Sequence, residues 1–350
     1  MPMQTGLRTP APGAIARARE LAEPALRAAV ATLHPLPRRM AAFSFGWCEA
    51  DGTPGDSPGG KGVRQAFALL GAEAAGAPVG AAVQAAVAVE LVHTFSLVHD
   101  DIMDGDERRR HRDAAWKAFG TGPAVLTGDA LFALAVQTVA GAGGGHAGRA
   151  VAHLAESLGE LVRGQADDLL FENRPWAGPE AVGLPEYEAM AARKTGALLG
   201  CALSLGPVLA GAPAPQADAL MEAGRRLGVA FQAVDDLLGI WGDPYTTGKP
   251  VHSDLLRRKK TLPVLAAVAR GGGATGRELT RLLGSDVPPD AAAAQHAAAL
   301  VEAAGGRDFA LAEAHRHAAA AQECLRGAGL AEDAAGELAA LSAYLLERRL

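Results

Sequence analysis

Residues 79–104 read VGAAVQAAVAVELVHTFSLVHDDIMD, a long run of small and apolar helix formers ending in the carboxylates of Asp100, Asp101 and Asp104. Asp100 and Asp104 stand at i and i+4, so on a helix they share one face. A carboxylate at the end of an apolar helix is costly unless a cation neutralises it. A second pair, Asp235-Asp236, lies near the end of another helix-like stretch, 215–242. Hard carboxylate oxygens suit Mg²⁺, which keeps several waters and bridges to phosphate oxygens. The pattern therefore points to a diphosphate held between two acidic helix faces through Mg²⁺.

Basic residues that could complete such an anion site accompany both pairs. Lys61 and Arg64 follow Gly59-Gly60 at the expected start of a helix, where N–H groups and the dipole favour phosphate. Arg109 and Arg110 follow the first acidic group, and Lys194-Thr195 joins two apolar stretches. Lys249, Arg257, Arg258, Lys259 and Lys260 follow the second.

The rest of the 350-residue chain supports a helical reading. Hydrophobic residues make up 49% and aromatics only 5%, a mix that favours helix over strand. A net charge of −6 argues against a general nucleic-acid footprint. Cys48, Cys201 and Cys324 form neither a disulfide framework nor a zinc spacing, so buried free thiols in a reducing cytoplasm are expected. The N-terminus lacks an apolar signal region. The uncharged stretch Thr195–Ala217 is interrupted by Gly206-Pro207 and reads as a buried core helix, so no transmembrane segment is expected.

Periodicity predicts helices at about 13–32, 36–49, 60–74, 79–103, 123–141, 147–173, 185–210, 215–242 and 259–270. Further helices are predicted at about 276–284, 290–304, 306–327 and 330–348. Gly/Pro-rich breaks separate them, none long enough for an interdomain linker. The expectation is a disordered N-terminus, 1–12, followed by a single all-α domain, 13–350.

With these motifs in view, the chain resembles the trans-isoprenyl diphosphate synthases (polyprenyl synthetases), most like the geranylgeranyl diphosphate synthases of actinobacteria. The similarity runs from about residue 35 to the C-terminus. Asp100, Asp101 and Asp104 match the family's first DDxxD motif, and Arg109 and Arg110 its following arginine pair. Gly59-Gly60-Lys61-Gly62-Val63-Arg64 matches GGKxxR, and His93 a further diphosphate-binding position. Gly128, Asp129 and Leu131 match GDxL; Gly164, Gln165 and Asp168 match GQxxD; Lys194-Thr195 matches KT. Phe231, Gln232, Asp235 and Asp236 match FQxxDD, Thr247-Gly248-Lys249 matches TGK, and the later lysine falls on Lys259 or Lys260.

The resemblance implies an isoprenoid-synthase-type antiparallel helix bundle around a deep central cavity. It implies Mg²⁺-dependent condensation of isopentenyl diphosphate with an allylic diphosphate (dimethylallyl, geranyl or farnesyl), in a homodimer. Three Mg²⁺ are implied, with Asp100, Asp104, Asp168 and Asp235 as ligands. Lys194, Lys259 and Arg109 would hold the allylic diphosphate; Lys61, Arg64, His93 and Arg110 would hold isopentenyl diphosphate. Thr195, Gln232 and Lys249 join the substrate-binding set, and Asp101 and Asp236 the catalytic one. Segment 243–250 and Glu347-Arg348-Arg349 are candidates to close over the site.

Phe95 and Ser96, below Asp100, would set the depth of the cavity. By resemblance to the family, an aromatic at this place without an insertion in DDxxD implies a C20 product, with Phe132 and Leu134 as alternative floors. Farnesyl or longer products, or a weakly active prenyl-diphosphate-binding subunit, are the alternatives. A terpene cyclase is disfavoured because its NxxxSxxxE motif is missing. The chain departs from the family's usual pattern at several points. Gly239 replaces the third carboxylate of the second motif, which would weaken Mg²⁺ binding, and an aspartate restored there is expected to be tolerated. His111 and His252 replace common glycines, and Gln65 a common proline.

Overall fold

Alanine-rich helices can approach one another closely, and here glycine makes the closest contacts. The computed structural model describes residues 11–55, 62–109, 111–244 and 250–347. The expectation for residues 1–10 lies outside these, and helix already begins at Ala11.

The first elements are α1 (Ala11–Ala31), α2 (Pro35–Ser44), α3 (Val63–Ala74) and α4 (Val79–Met103). A short antiparallel pair, β1 (Arg108–Arg109) with β2 (Arg112–Asp113), matches Arg108 to Asp113 and Arg109 to Arg112. Then come α5 (Ala115–Phe119), α6 (Thr121–Ala140), α7 (Ala147–Glu172) and α8 (Leu184–Ala191). A π-helical turn, Ala192–Gly196, leads into α9 (Ala197–Leu209) and α10 (Ala214–Trp241). The rest are α11 (Ser253–Leu256), α12 (Leu262–Arg270), α13 (Ala274–Leu283), α14 (Ala291–Ala303), α15 (Gly306–Gly327) and α16 (Glu332–Glu347).

Most predicted helices are present, and α4 falls on its predicted span. The corrections have local causes. Gly62 precedes α3 with φ +70, and Gly46 ends the α2 region with φ +77. The helix expected at 259 begins at Leu262, after Thr261 in extended backbone and with Pro263 in the first turn. The helix predicted at 185–210 is interrupted by the π turn. The β1–β2 pair, α5 and α11 are too short to show periodicity.

The chain divides into two compact units, each made of separate segments. The first comprises 1–155, 201–221 and 324–345. In it α4 packs against α3 and α6, and α1 against α3 and α4. Each fully buried leucine here, such as Leu91 and Leu131, contributes about 1.5–3 kcal/mol. A side chain on Gly71 of α3 would place its Cβ 2.3 Å from the Leu203 carbonyl oxygen of α9. The second unit comprises 156–200, 222–323 and 346–350. Its core gathers Tyr187 and Met190 of α8, Val234 and Ile240 of α10, and Leu265 of α12. There α12, α13 and α14 pack on one another.

His111 (φ +66) and His252 (φ +61) both adopt the left-handed conformation, which explains why glycine suits those places. Among the described residues two helices are long and apolar enough to cross a membrane, α4 and α6, neither of them the stretch flagged from sequence. The most apolar window of α4 is 67% buried, as a core helix requires. Of the cysteines only Cys201 is fully buried; Cys48 and Cys324 are half-buried, and all are free thiols.

Gly71→Ala is expected to destabilise the protein by roughly 1–3 kcal/mol, because backbone must move to admit the methyl. Gly336→Ala, at an exposed position of α16 with open space around it, is expected to stabilise by about 0.5–1 kcal/mol. Urea unfolding midpoints check both; equal shifts would refute the close α3–α9 contact.

Candidate active site

The first unit carries the first acidic group at the C-terminal end of α4. Helix carbonyls make this an unfavourable place for negative charge unless cations are present. Asp101 is 3% exposed, and Arg109 of β1 holds it in a two-pronged ion pair. Arg109 Nε lies 2.9 Å from both carboxylate oxygens and Nη2 2.6 Å from Oδ1. Burial opposes the Arg109 charge, but the hydrogen bonds and charge of Asp101, with Asp100 and Asp106, hold the guanidinium above its usual pKa. Asp100 and Asp104 are half-buried on the face that their spacing predicts. Hence Asp101 and Arg109 satisfy each other, while the outer carboxylates carry the oxygen donors suited to Mg²⁺.

Two residues behind this end explain its packing. His99 meets the Val125 carbonyl oxygen at 3.1 Å through Nε2. A Cβ on Gly128 would lie 2.1 Å from the same ring nitrogen, so the glycine admits the histidine. Phe95 is buried, with its ring edge-on to His99 (5.0 Å between centroids) and to Phe132 of α6 (5.6 Å). Ser96 Oγ donates to the His93 carbonyl oxygen at 2.9 Å. Trp116 donates Nε1–H to the Asp106 carbonyl oxygen at 2.9 Å, an anchoring role. Asp106 itself is buried.

Arg64 and His93, paired by the sequence motifs, meet in the structure. Arg64 Nη1 lies 3.1 Å from His93 Nε2. A guanidinium can only donate, so Nε2 accepts and the ring proton sits on Nδ1. Lys61, Arg110 and Lys249 lie outside the described residues, as do 245–249 and Arg348-Arg349 of the candidate closing segments.

The second unit carries the second group. Asp236 is 4% exposed on α10, and its carboxylate is fully engaged. Tyr187 donates its hydroxyl to Oδ2, Leu262 its backbone N–H to Oδ2 at 2.7 Å, and Gln232 its amide to Oδ1 at 3.0 Å. Thr195 in turn donates to Gln232 Oε1 at 2.7 Å. Burial pushes Asp236 up to about 7, against the pull of the Tyr187, Leu262 and Gln232 hydrogen bonds. Burial and the Asp236 charge likewise raise the Tyr187 phenol well above its usual range. Neighbouring Asp235 is half-buried.

Lys194 Nζ is 2.5 Å from Asp168 Oδ2. Glycine contacts bring them together. A Cβ on Gly164 of α7 would fall 2.2 Å from the Lys194 backbone nitrogen, and one on Gly228 of α10 2.2 Å from Gly196 Cα. Asp167 is ion-paired to Arg193 at 3.0 Å. Of the two candidate lysines, Lys260 is buried over the Trp176 ring (4.4 Å) and donates to the Glu172 carbonyl oxygen at 3.3 Å. Lys259 is half-buried.

A Cβ at Gly239 would lie 1.9 Å from Asp254 Oδ2, so an aspartate there requires the Asp254 carboxylate to shift. Asp254 and Tyr187 were missed from sequence, since neither belongs to a motif or a periodic acidic pattern. The carboxylates at both helix ends fit Mg²⁺ by donor type: oxygen only, half-buried and grouped.

A family model described as polyprenyl synthetase matches residues 55–301. The chain is 44% identical over 335 residues to a (2E,6E)-farnesyl diphosphate synthase of Mycobacterium tuberculosis, covering 95% of this chain and 92% of that protein. It is 44% identical over 292 residues to a geranylgeranyl diphosphate synthase of the same organism, covering 83% and 81%. The crystal structure of a polyprenyl synthetase from Streptomyces coelicolor superposes with a TM-score of 0.89 at 46% identity, covering 96% of this chain and 99% of that one. Motifs, all-α fold and relatives agree: the chain belongs to the polyprenyl synthetase family, the trans-isoprenyl diphosphate synthases, and is a prenyltransferase that elongates prenyl diphosphates head to tail.

Proposed function

We propose that the product is geranylgeranyl diphosphate, made from isopentenyl diphosphate and allylic diphosphate primers. The observation that carries this reading is Phe95. It lies just upstream of Asp100 on α4, and its ring is fixed against His99 and Phe132. A growing chain directed down α4 from Asp100 meets two aromatic rings, which set a floor of intermediate depth. The farnesyl diphosphate synthase among the relatives favours a shorter product as the second reading.

The family is Mg²⁺-dependent, and three Mg²⁺ per active site are proposed here. Asp100 and Asp104, helped by Asp168, would hold two of them, and Asp235 the third. When bound, Mg²⁺ supplies the charge that stabilises the departing diphosphate. Lys194 and Lys259 add charge-assisted hydrogen bonds to that diphosphate. Arg109 contributes charge while it orients Asp101. Arg64 and His93, with Lys61 and Arg110, bind isopentenyl diphosphate. Correct placement of its weakly nucleophilic double bond supplies much of the rate. Exclusion of water is essential, because water would otherwise capture the allylic cation as an alcohol.

A homodimer is proposed from α6. This helix is apolar enough to cross a membrane, yet only 39% of its most apolar window is buried, and Val125 and Leu126 are exposed. A second copy of the chain would cover that face. The free cysteines fit a cytoplasmic setting.

Incubation with Mg²⁺, isopentenyl diphosphate and, separately, the C5, C10 and C15 allylic diphosphates is expected to end in one C20 product; a C15 end product would select the second reading. Asp100→Ala and Asp235→Ala are each expected to lower kcat by roughly 10²–10³-fold, the scale of losing a preorganised charge contact. A loss below tenfold would contradict the metal assignment. Phe95→Ala should lengthen the product, and an unchanged product would move the floor elsewhere. Leu126→Glu should halve the mass measured by light scattering; an unchanged mass would refute the α6 interface.

A further inference from the structure

Within the second unit, three side chains outside every diphosphate-binding motif converge. Glu188 of α8 and Glu313 and His317 of α15 each bring one donor atom to the same place, and these atoms lie within 4.8 Å of one another. Glu313 and His317 stand at i and i+4, so one helix face offers both. His317 Nε2 lies 3.2 Å from Glu188 Oε1 and 4.0 Å from Glu313 Oε2. Donor atoms about 2.0–2.2 Å from a tetrahedral Zn²⁺ lie roughly 3.4 Å from one another, so small rotations of the two glutamates would close the group around an ion.

A cationic nitrogen already sits among them. Arg316 Nη2 lies 2.6 Å from Glu313 Oε2, 2.9 Å from His317 Nε2 and 3.5 Å from Glu188 Oε2. That nitrogen carries two protons but faces three acceptors, and a single positive charge faces two carboxylates. The Arg316 side chain is 50% exposed, so it can leave the group for solvent. A separate observation concerns His317, which is 1% exposed. A guanidinium can only donate, so Nε2 accepts and the ring proton sits on Nδ1, which is buried and has no partner. A buried donor left unpaired is costly. In a plain hydrogen bond to Glu188 the ring would instead donate its Nε2–H to the carboxylate. The fold thus keeps the Nε2 lone pair, the metal-binding form of imidazole, aimed into the group.

We infer that Glu188, Glu313 and His317 form a site for a zinc-class divalent ion, taken up when Arg316 swings out to solvent. Two carboxylates and a neutral imidazole are donors that Zn²⁺ accepts, with water in the fourth position. The imidazole nitrogen separates this group from the acidic helix ends, whose oxygen donors suit Mg²⁺. Exchange of Arg316 for a divalent ion balances both carboxylate charges instead of one. The ion would tie α8 to α15. The residue before Glu188 is Tyr187, which donates to Asp236, so the tie acts on the helix that orders the second acidic group. The site does not depend on how Mg²⁺ is held.

The test is Zn²⁺ binding to the metal-free full chain in excess Mg²⁺, which fills the oxygen-only groups, measured by titration calorimetry alongside melting temperatures. Wild type should bind Zn²⁺ under these conditions, and Cu²⁺ bound in its place should show the nitrogen couplings of a coordinated imidazole in pulsed electron paramagnetic resonance. His317→Gln should remove those couplings. Glu313→Gln should weaken Zn²⁺ binding by at least about 10–100-fold, the scale of losing even an outer partner at a metal site. Glu313 is half-buried, so this variant reports on the site even if the buried His317→Gln change prevents folding. Arg316→Ala removes the competing cation and should tighten binding by a few-fold, since half-exposed ion pairs are weak; a purely structural cluster would bind no better. Wild type that takes up no Zn²⁺, Glu313→Gln with affinity within twofold of wild type, imidazole couplings that survive His317→Gln, or Arg316→Ala that binds no tighter would each overturn the inference.

Discussion

A carboxylate near the end of an apolar helix must be neutralised, and both acidic groups here meet that requirement in the same way. In each adjacent pair one aspartate turns inward and is satisfied by protein. Asp101 takes the Arg109 guanidinium; Asp236 takes the Tyr187 hydroxyl, the Leu262 N–H and the Gln232 amide. The other aspartate, Asp100 or Asp235, remains half-buried. Removing a partner of a buried charge costs far more than the pair contributes. The inner aspartates therefore fix the rotation of their helices and aim the outer ones. Function at the outer positions depends on order at the inner ones.

Close approach of backbone does the rest. Gly128 lets His99 lie against α6 immediately before Asp100, and Gly164 lets α7 touch the backbone that carries Lys194. A side chain at either glycine would separate elements that must present their polar groups within a few tenths of an ångström. Motif glycines and motif carboxylates thus belong to one device, the first setting helix spacing and the second using it.

Much of this was legible in the sequence because it depends on local pattern. The i, i+4 carboxylates of α4 and the span of α4 itself were open to a reading of spacing and composition, and the motifs singled out Arg64 and His93, which the structure brings together. Other features depend on contacts between distant segments and leave no such trace. Tyr187 reaches Asp236 from another helix, and nothing around it in α8 marks it as polar-partnered. The π turn at 192–196 is set by packing on α7 and α10, so a 3.6-residue pattern reads straight through it. Gly239 looked like a lost ligand because a sequence shows a missing side chain but not the group that occupies its space. His111 and His252, by contrast, stood out in the sequence, and their left-handed backbone supplies the reason.

The π turn also constrains how the chain can change in length. A π turn holds one residue more than the α-helical turn it replaces. Deleting one residue between Ala191 and Ala197 would restore a regular i→i+4 ladder and close the wide turn, with α8 and α9 still in line. Lys194 would then leave Asp168, and Thr195 would leave Gln232, even if every side chain were kept. In this segment the count of residues carries information that their identities do not: substitutions can be absorbed one at a time, but a deletion removes at a single step the wide turn that presents Lys194 and Thr195.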